Sequence, residues 1–193
     1  MTTHKLNDDE GAQLLVLARQ TLQAKLTGTA EEMNMSKMVQ DFPMLKRAAG
    51  TFVTLTLNRQ LRGCIGNLTA GESIAEGVRQ NALNAAFHDH RFQPLTGHEL
   101  ADVHIEVSIL SPPEPLSFTD GDDLIAKLTP HVDGVILRKG HSGATFLPQV
   151  WEQLPEPRDF LTHLSRKAGL AGNAWKDPGI EISTYQVQYF EEV

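Results

Sequence analysis

Apolar and polar side chains alternate along residues 51–57, and after a short turn a second extended stretch returns along residues 61–65. A period of two is typical of a strand with one buried face. Residues 135–138 and 144–147 form a second pair of this kind, and residues 103–109 alternate most clearly of all. Because these strands come in hairpins and are not separated singly by long helices, the sequence predicts an antiparallel α+β fold.

Four other segments carry apolar residues at the three-to-four spacing of a helix with one buried face. The first is expected to begin at Asn7, which can form a capping box with Glu10, and to end near Gly28. The others are predicted over residues 72–87, over residues 120–128, and from an Asp159 cap to Gly169.

The proline-rich stretch 111–115 is the best candidate for a linker. We expect a single domain of two lobes, a larger one made of residues 1–111 with residues 180–193, and a smaller one made of residues 116–179. The final strand, near residues 185–189, is expected to return to the larger lobe. A chain of 193 residues has the length for one large domain or two small lobes.

Charge and cysteine content narrow the classes of partner. The chain has 24 acidic and 17 basic side chains and a net charge of −7. Nucleic acid is therefore not expected as a direct, broad partner, although a local basic patch stays open. No apolar run approaches the length of a membrane helix, so no membrane partner is expected. The first residues lack a signal-peptide pattern, and one cysteine cannot form an internal disulfide, which together predict a cytoplasmic protein.

The single cysteine lies in the motif LRGCIG, residues 61–66, on the returning arm of the first hairpin. Strand geometry places Arg62 on the same face as Cys64, where a guanidinium would favour the thiolate. Gly63 and Gly66 would leave room for a ligand beside the sulfur. On this hypothesis Cys64 and Arg62 are the candidate catalytic residues. The alternative is a small buried side chain, with the glycines marking a bulge or a tight bend.

A polar loop, HDHRF, follows the second predicted helix. Asp89 and Arg91 either pair with each other in a loop that ends the helix, with Phe92 in the core, or join Asn67 as the polar rim of a site around the cysteine. The two histidines of the loop match no known zinc motif, so no tightly bound metal and no other cofactor is predicted. The candidate substrate-binding residues are Gly63, Gly66, Asn67, Asp89 and Arg91.

The turn of the second hairpin reads RKGHSG, residues 138–143. Its cations, histidine, serine and glycines would suit a phosphate or a carboxylate, but a solvated hairpin turn explains the same residues. The sequence contains no Walker loop, Gly-x-Gly-x-x-Gly, Gly-x-Ser-x-Gly or His-Glu-x-x-His motif. Nucleotide motors, dinucleotide oxidoreductases, serine hydrolases of that type and zincins therefore lose support.

Several ordered segments resemble the AMMECR family, whose bacterial members are called AmmeMemoRadiSam system protein A. They are LRGCIG, NALNAAFHDHRFQPL, HIEVSILSPP, GVILRKGHSGATFLPQVW and FLTHLSRKAGL, and with a tyrosine-rich final strand they run from about residue 8 to the C-terminus. The chain departs from the usual family pattern at His90, where proline is more typical, and at Ser165, where a second cysteine often stands. If that second thiol serves the chemistry of the family, this chain lacks it.

The resemblance implies a two-lobed α+β protein with a cleft between the lobes, lined by the LRGCIG strand. It also implies a Memo-type protein and a radical-SAM protein as associates, in a system that modifies a nucleobase or another small substrate. Two functions stay open at this point. One is an enzyme or enzyme subunit that uses Arg62 and Cys64, and the other is a non-catalytic module that binds a partner protein or a substrate and has a purely structural Cys64.

Overall fold

The computed structural model describes residues 5–29 and 35–192. Within them the chain forms five α-helices and two four-stranded antiparallel sheets, which confirms the predicted α+β class. The helices are α1 (Asp8–Thr27), α2 (Met35–Asp41), α3 (Ile74–Phe87), α4 (Gly121–Lys127) and α5 (Pro157–Lys167). The strands are β1 (Thr51–Leu57), β2 (Gln60–Asn67), β3 (Val103–Leu110), β4 (Glu114–Pro115), β5 (Gly134–Lys139), β6 (Ser142–Phe146), β7 (Glu181–Tyr185) and β8 (Val187–Glu191). None of the helices in the described residues is long and apolar enough to cross a bilayer.

The first sheet has the strand order β2-β1-β3-β8 and packs against α1 and α3. β1 pairs antiparallel with β2 and with β3, so the first predicted hairpin is confirmed. Alternate side chains of β1 and β3 enter the core with the helices, and Val53, Leu55, Ile105 and Val107 are completely buried there. Each such side chain contributes roughly 1.5–3 kcal/mol of burial free energy, so this core fixes which face of the sheet meets the helices.

The second sheet has the strand order β4-β7-β5-β6 and a core of its own. The predicted hairpin of β5 and β6 is confirmed, with Lys139 and Ser142 paired on either side of the turn. In the core, the rings of Trp151 and Phe160 stack with centroids 3.7 Å apart. The indole Nε1 of Trp151 donates to the Asp133 carbonyl at 2.7 Å, which satisfies the polar atom of a fully buried side chain.

The N-terminal ends of α1 and α5 can be compared with the ends predicted from the sequence. The capping box of α1 is confirmed: Asn7 accepts from the Glu10 N–H, and the Glu10 carboxylate accepts from the Asn7 N–H, each at 2.9 Å. α5 begins earlier than predicted, because Pro157 occupies its first turn and Asp159 lies inside the helix instead of capping it. Proline suits this position because the first N–H groups of a helix have no partner within it.

The chain divides into two compact units, Met1–Leu110 with Gln188–Val193, and Ser111–Val187. The return to the first unit falls later than the predicted residue 180. The single final strand expected from the sequence is two strands, of which β7 pairs with β5 while β8 joins the first sheet beside β3. Residues 181–185 therefore belong with the second sheet, because their backbone hydrogen bonds are made with β5.

Ser165 is a fully buried residue of α5 whose Oγ has no hydrogen-bond partner among the described residues. A buried, unsatisfied hydroxyl costs free energy, so we expect Ser165→Ala to raise the free energy of unfolding by about 1–2 kcal/mol in urea titrations. Ser36→Ala is the matched control, because Ser36 is exposed in α2 and its replacement changes helix propensity alone, by about 0.5 kcal/mol. A Ser165→Ala variant less stable than the wild type would contradict this account.

Candidate functional site

β2 carries the LRGCIG motif and lies at the edge of the first sheet, next to β1. Cys64 is opposite Thr54 of β1, whose hydroxyl donates a hydrogen bond to the sulfur over 3.3 Å. The thiol is free and half-buried. Gly63 faces the backbone of α3 at Ala85, so the alternation along the strand directs Cys64 away from the helices.

The face of the sheet that carries the sulfur is polar. In the register of β1 with β3, Thr54 lies opposite Glu106, and Thr56 lies opposite His104. All four are half-buried, like Cys64. We refer to these five residues, Thr54, Thr56, Cys64, His104 and Glu106, as the polar face. Two of them have partners within the protein: His104 Nε2 bonds the Glu192 carbonyl oxygen, and Glu106 Oε1 accepts from the Ser108 hydroxyl at 3.4 Å. The two threonine hydroxyls and the second carboxylate oxygen are of types that can also bond a polar ligand.

The backbone of Cys64 is held on its outward side by the loop that follows α3. The Cys64 N–H donates to Asp89 Oδ2 at 2.9 Å, and the Cys64 carbonyl accepts from Arg91 Nη2 at 3.2 Å. An edge strand leaves such groups unpaired by backbone, where they would bond water or another strand. Here Asp89 and Arg91 take the place of a further strand and fix the position of the cysteine.

Asp89 and Arg91 form a bidentate ion pair, which is the first of the two alternatives that the sequence left open for this loop. Arg91 Nε donates to Oδ1 at 2.9 Å and Nη2 donates to Oδ2 at 2.7 Å, with 4% of the Asp89 side chain exposed and 56% of that of Arg91. The hydrogen bond from Arg91 holds the pKa of Asp89 well below its usual range, helped by the N–H groups of Cys64 and Arg91 and opposed by burial. The same bond to Asp89 raises the pKa of Arg91.

Arg62 binds Glu99, a residue that the sequence analysis did not place in the site. Its Nε donates to Oε1 at 2.8 Å and its Nη2 to Oε2 at 3.1 Å, with 13% of the arginine side chain exposed. The register of β1 with β2 skips Arg62, and a bulge of this kind redirects the side chain of the extra residue. Arg62 was expected to activate the Cys64 thiol. In the structure two of its guanidinium nitrogens bind the carboxylate of Glu99 instead.

Glu99 also closes a turn of its own. Its Oε2 accepts from the N–H and from the hydroxyl of Thr96, each at 2.9 Å, which matches the Thr-x-x-Glu spacing visible in the sequence. The hydrogen bond from Arg62 lowers the pKa of Glu99 to about 2, followed by the bond from the Thr96 N–H. Nothing local links Glu99 to Arg62, 37 residues earlier, so the sequence carried a signal for the turn and none for the ion pair.

The two candidate glycines make room for the protein itself. A Cβ on Gly63 would lie 2.1 Å from the carbonyl oxygen of Ala85 in α3, and one on Gly66 would lie 2.2 Å from the Phe52 ring. Asn67, the third candidate, accepts at Oδ1 from Asn81 Nδ2 at 3.0 Å. Of the five candidate binding residues, the structure thus brings Asp89 and Arg91 into contact with Cys64, while Gly66 and Asn67 contact β1 and α3.

The remaining candidates of the sequence analysis lie in exposed turns. His88 and His90 are both exposed. Phe92, which was expected in the core, is half-buried, with the Arg91 guanidinium carbon 5.5 Å from the centre of its ring, whereas Leu95 is buried in the core. Among residues 5–29 and 35–192, no three His, Cys, Asp or Glu side chains gather closely enough to hold a metal ion.

In the RKGHSG turn, Lys139 Nζ pairs with Asp177 at 2.8 Å, which leaves the hairpin without one of its expected free cations.

The contact of Gly63 with α3 can be tested by adding one methyl group. We expect Gly63→Ala to lower the free energy of unfolding by about 3 kcal/mol or more, because the new Cβ would overlap helix backbone that cannot rotate away. Gly71→Ala is the matched control, since no atom lies within 4 Å of a Cβ added there. Urea unfolding of both variants gives the comparison. Equal stability of the two would show that α3 does not rest on β2 at Gly63.

The ion pair of Glu99 predicts a loss of stability in acid. The pKa of Glu99 is lowered from 4.5 to about 2 in the folded protein, so its contribution is complete above pH 4.5 and is lost as the pH falls towards 2. We expect Glu99→Gln to be about 1–3 kcal/mol less stable at pH 7, because it leaves the Arg62 charge buried, and to show a flatter stability profile between about pH 5 and 2. Chemical denaturation across this range measures both effects. Glu72→Gln, at an exposed carboxylate, should retain the wild-type profile, and a wild-type profile in Glu99→Gln would refute the role of the pair.

Comparison with known proteins agrees with this geometry at the level of fold and family. A family model described as AMMECR1 matches residues 15–190. The chain is 33% identical to a protein of Methanothermobacter thermautotrophicus over 97% of this chain and 96% of that one, and 34% identical to a protein of Thermofilum pendens over 97% and 92%. The crystal structure of an uncharacterised protein from Pyrococcus horikoshii superposes with a TM-score of 0.85 at 31% identity, covering 98% of this chain and 94% of that chain. By this match over nearly its whole length, the chain belongs to the AMMECR1 family.

Proposed function

We propose that this protein is a binding component of a modification system that also contains a Memo-type protein and a radical-SAM protein. In this proposal the polar face recognises the partner or the substrate of the system. The choice of the polar face as the binding surface rests on one observation. The outward backbone groups of Cys64 are bound by Asp89 and Arg91, while its sulfur lies beside Thr54 on the polar face. A surface held in this way loses little conformational entropy when it binds.

Binding is favoured over thiol catalysis because the ionic groups around Cys64 are engaged in structural contacts, with Nη1 of Arg62 the one buried guanidinium nitrogen that has no partner among the described residues. A catalytic thiol needs a base or a cation to form the thiolate. Arg62 gives two nitrogens to Glu99, and Asp89 is bound by Arg91 and by the Cys64 N–H. The same contacts suit a binding surface, because they hold its backbone in one conformation.

A second function, thiol chemistry at Cys64, is favoured by a specific feature of Arg91. More than half of that side chain is exposed, and its Nη2 lies 3.2 Å from the Cys64 carbonyl oxygen. In this function Arg91, instead of Arg62, is the cation that supports a thiolate.

The experiment measures binding of the full-length protein to the Memo-type and radical-SAM proteins of the same genome by calorimetry. We expect Thr56→Lys, on the polar face, to weaken the interaction about tenfold or more, because a lysine introduces an unpaired charge into the contact. Thr69→Lys is the matched control, since Thr69 is exposed in the loop after β2 and should bind as the wild type. Equal binding by the two variants, with both folded, would exclude the polar face as the binding surface.

Replacement of the sulfur separates binding from chemistry. In a binding component, Cys64→Val should retain partner binding and the amount of modified product (the output) that the reconstituted system forms. Cys64→Ser should mainly lower the free energy of unfolding, by roughly 1–3 kcal/mol. In a thiol enzyme, both variants should fold and bind, and both should abolish the output. Loss of output in a folded Cys64→Val would therefore replace the first function by the second.

A further inference from the structure

The second unit contains a basic pocket that shares no residue with the surroundings of Cys64. Its volume is about 380 Å³, and its lining includes Arg158, Arg166 and Lys176 together with Thr162 and Asn173. All but Thr162 are exposed, and Thr162 is half-buried between the two arginines. Three cations around one small pocket contrast with the net charge of −7 of the whole chain.

Three of the lining residues come from α5, and helix geometry brings them together. Arg158, Thr162 and Arg166 are spaced four residues apart along α5, so their side chains follow one another on the same face. Lys176 comes from the short 3-10 helix Ala174–Lys176, and its Nζ lies 4.7 Å from the centre of the Trp175 ring. The indole N–H of Trp175 donates to Thr162 Oγ1 over 3.4 Å, which leaves the hydroxyl proton of Thr162 to donate to a ligand.

The guanidinium of Arg166 is positioned by close backbone contact. A Cβ on Gly172 would lie 3.0 Å from Arg166 Nε and 3.1 Å from Thr162 Cγ2, so the glycine backbone passes directly against both side chains. Within the described residues, no hydrogen bond or ion pair engages the Arg166 guanidinium. Its five N–H donors are thus held beside the pocket and are available to an acceptor.

Two acidic residues beside these cations, Asp122 and Asp177, do not neutralise the pocket. Asp122 pairs with Arg158 at 3.2 Å, but both side chains are largely exposed, and such surface pairs contribute little. Asp177, which follows Lys176 in the chain, is bound by Lys139 at 2.8 Å. Among the described residues, neither Arg166 nor Lys176 has a carboxylate partner, so both cations can face a ligand.

We propose that this pocket binds the phosphate group of a small phosphate monoester. Arginine presents paired N–H donors that match two oxygens of a phosphate, and the dianion gains from each of the three surrounding cations. The Thr162 hydroxyl and the Asn173 amide add uncharged donors at the same place. The pocket shares no residue with the polar face, and the proposal does not depend on the function proposed for Cys64.

The test is titration of the isotope-labelled full-length protein with inorganic phosphate, AMP and adenosine, followed by NMR. We expect saturable shifts of the Gly172 and Asn173 amides with phosphate and AMP, AMP binding at least as tightly as phosphate, and no such shifts with adenosine. Arg166→Gln should weaken AMP binding about tenfold or more, and Arg166→Lys, which keeps the charge and loses the paired donors, should weaken it about threefold.

Arg138→Gln is the matched control, because it removes the same charge from an exposed arginine of β5 outside the pocket. It should bind AMP as the wild type does. Equal weakening by Arg138→Gln and Arg166→Gln would reduce the effect to the overall charge of the chain and overturn the proposal. Absence of saturable shifts with phosphate and AMP would overturn it as well, and tighter binding of inorganic phosphate than of AMP would overturn the assignment to a monoester.

Discussion

The ion pair of Asp89 with Arg91 connects the two elements that define the site. Both residues lie just after the end of α3. Asp89 accepts from the N–H of Cys64 in β2, and Arg91 donates to the carbonyl of the same residue. Since an edge strand has no neighbour on its outer side, these side chains provide the pairing that a further strand would supply. Gly63 completes the arrangement, because its missing side chain lets the backbone of α3 approach β2. The position of the sulfur is a consequence of both contacts.

The two arginines near the cysteine therefore have different roles. Arg62 is largely buried and shares its guanidinium with Glu99, whereas Arg91 is exposed over more than half of its side chain. A buried arginine needs its carboxylate to offset the cost of desolvation, so Arg62 is part of the fold of the first unit. Arg91 retains contact with solvent and donates to the Cys64 carbonyl, so in the second proposed function it is the arginine assigned to the thiol.

In the second unit, the charge at one place on the surface is opposite in sign to the net charge of the whole chain. An overall charge of −7 argues against broad binding of nucleic acid, yet four-residue spacing along α5 and one short 3-10 helix gather three cations at one pocket. Phe160, which lies between Arg158 and Thr162 along α5, stacks on Trp151 in the core of the second unit and holds α5 in place. The buried face of α5 thus sets the orientation of the arginines on its exposed face.

Local patterns in the sequence determined the hairpins, the capping box of α1 and the pairing of Asp89 with Arg91, because each depends on residues close together in the chain. The family resemblance rested likewise on short ordered motifs. The tertiary structure alone decided the partner of Arg62, the approach of α3 to Gly63 and the division of the final strand between two sheets. These features join residues that are distant in sequence, and the bulge at Arg62 interrupts the period of two on which its expected neighbour was based. Propensity and periodicity describe one element at a time, whereas contacts between elements follow from how their buried faces pack.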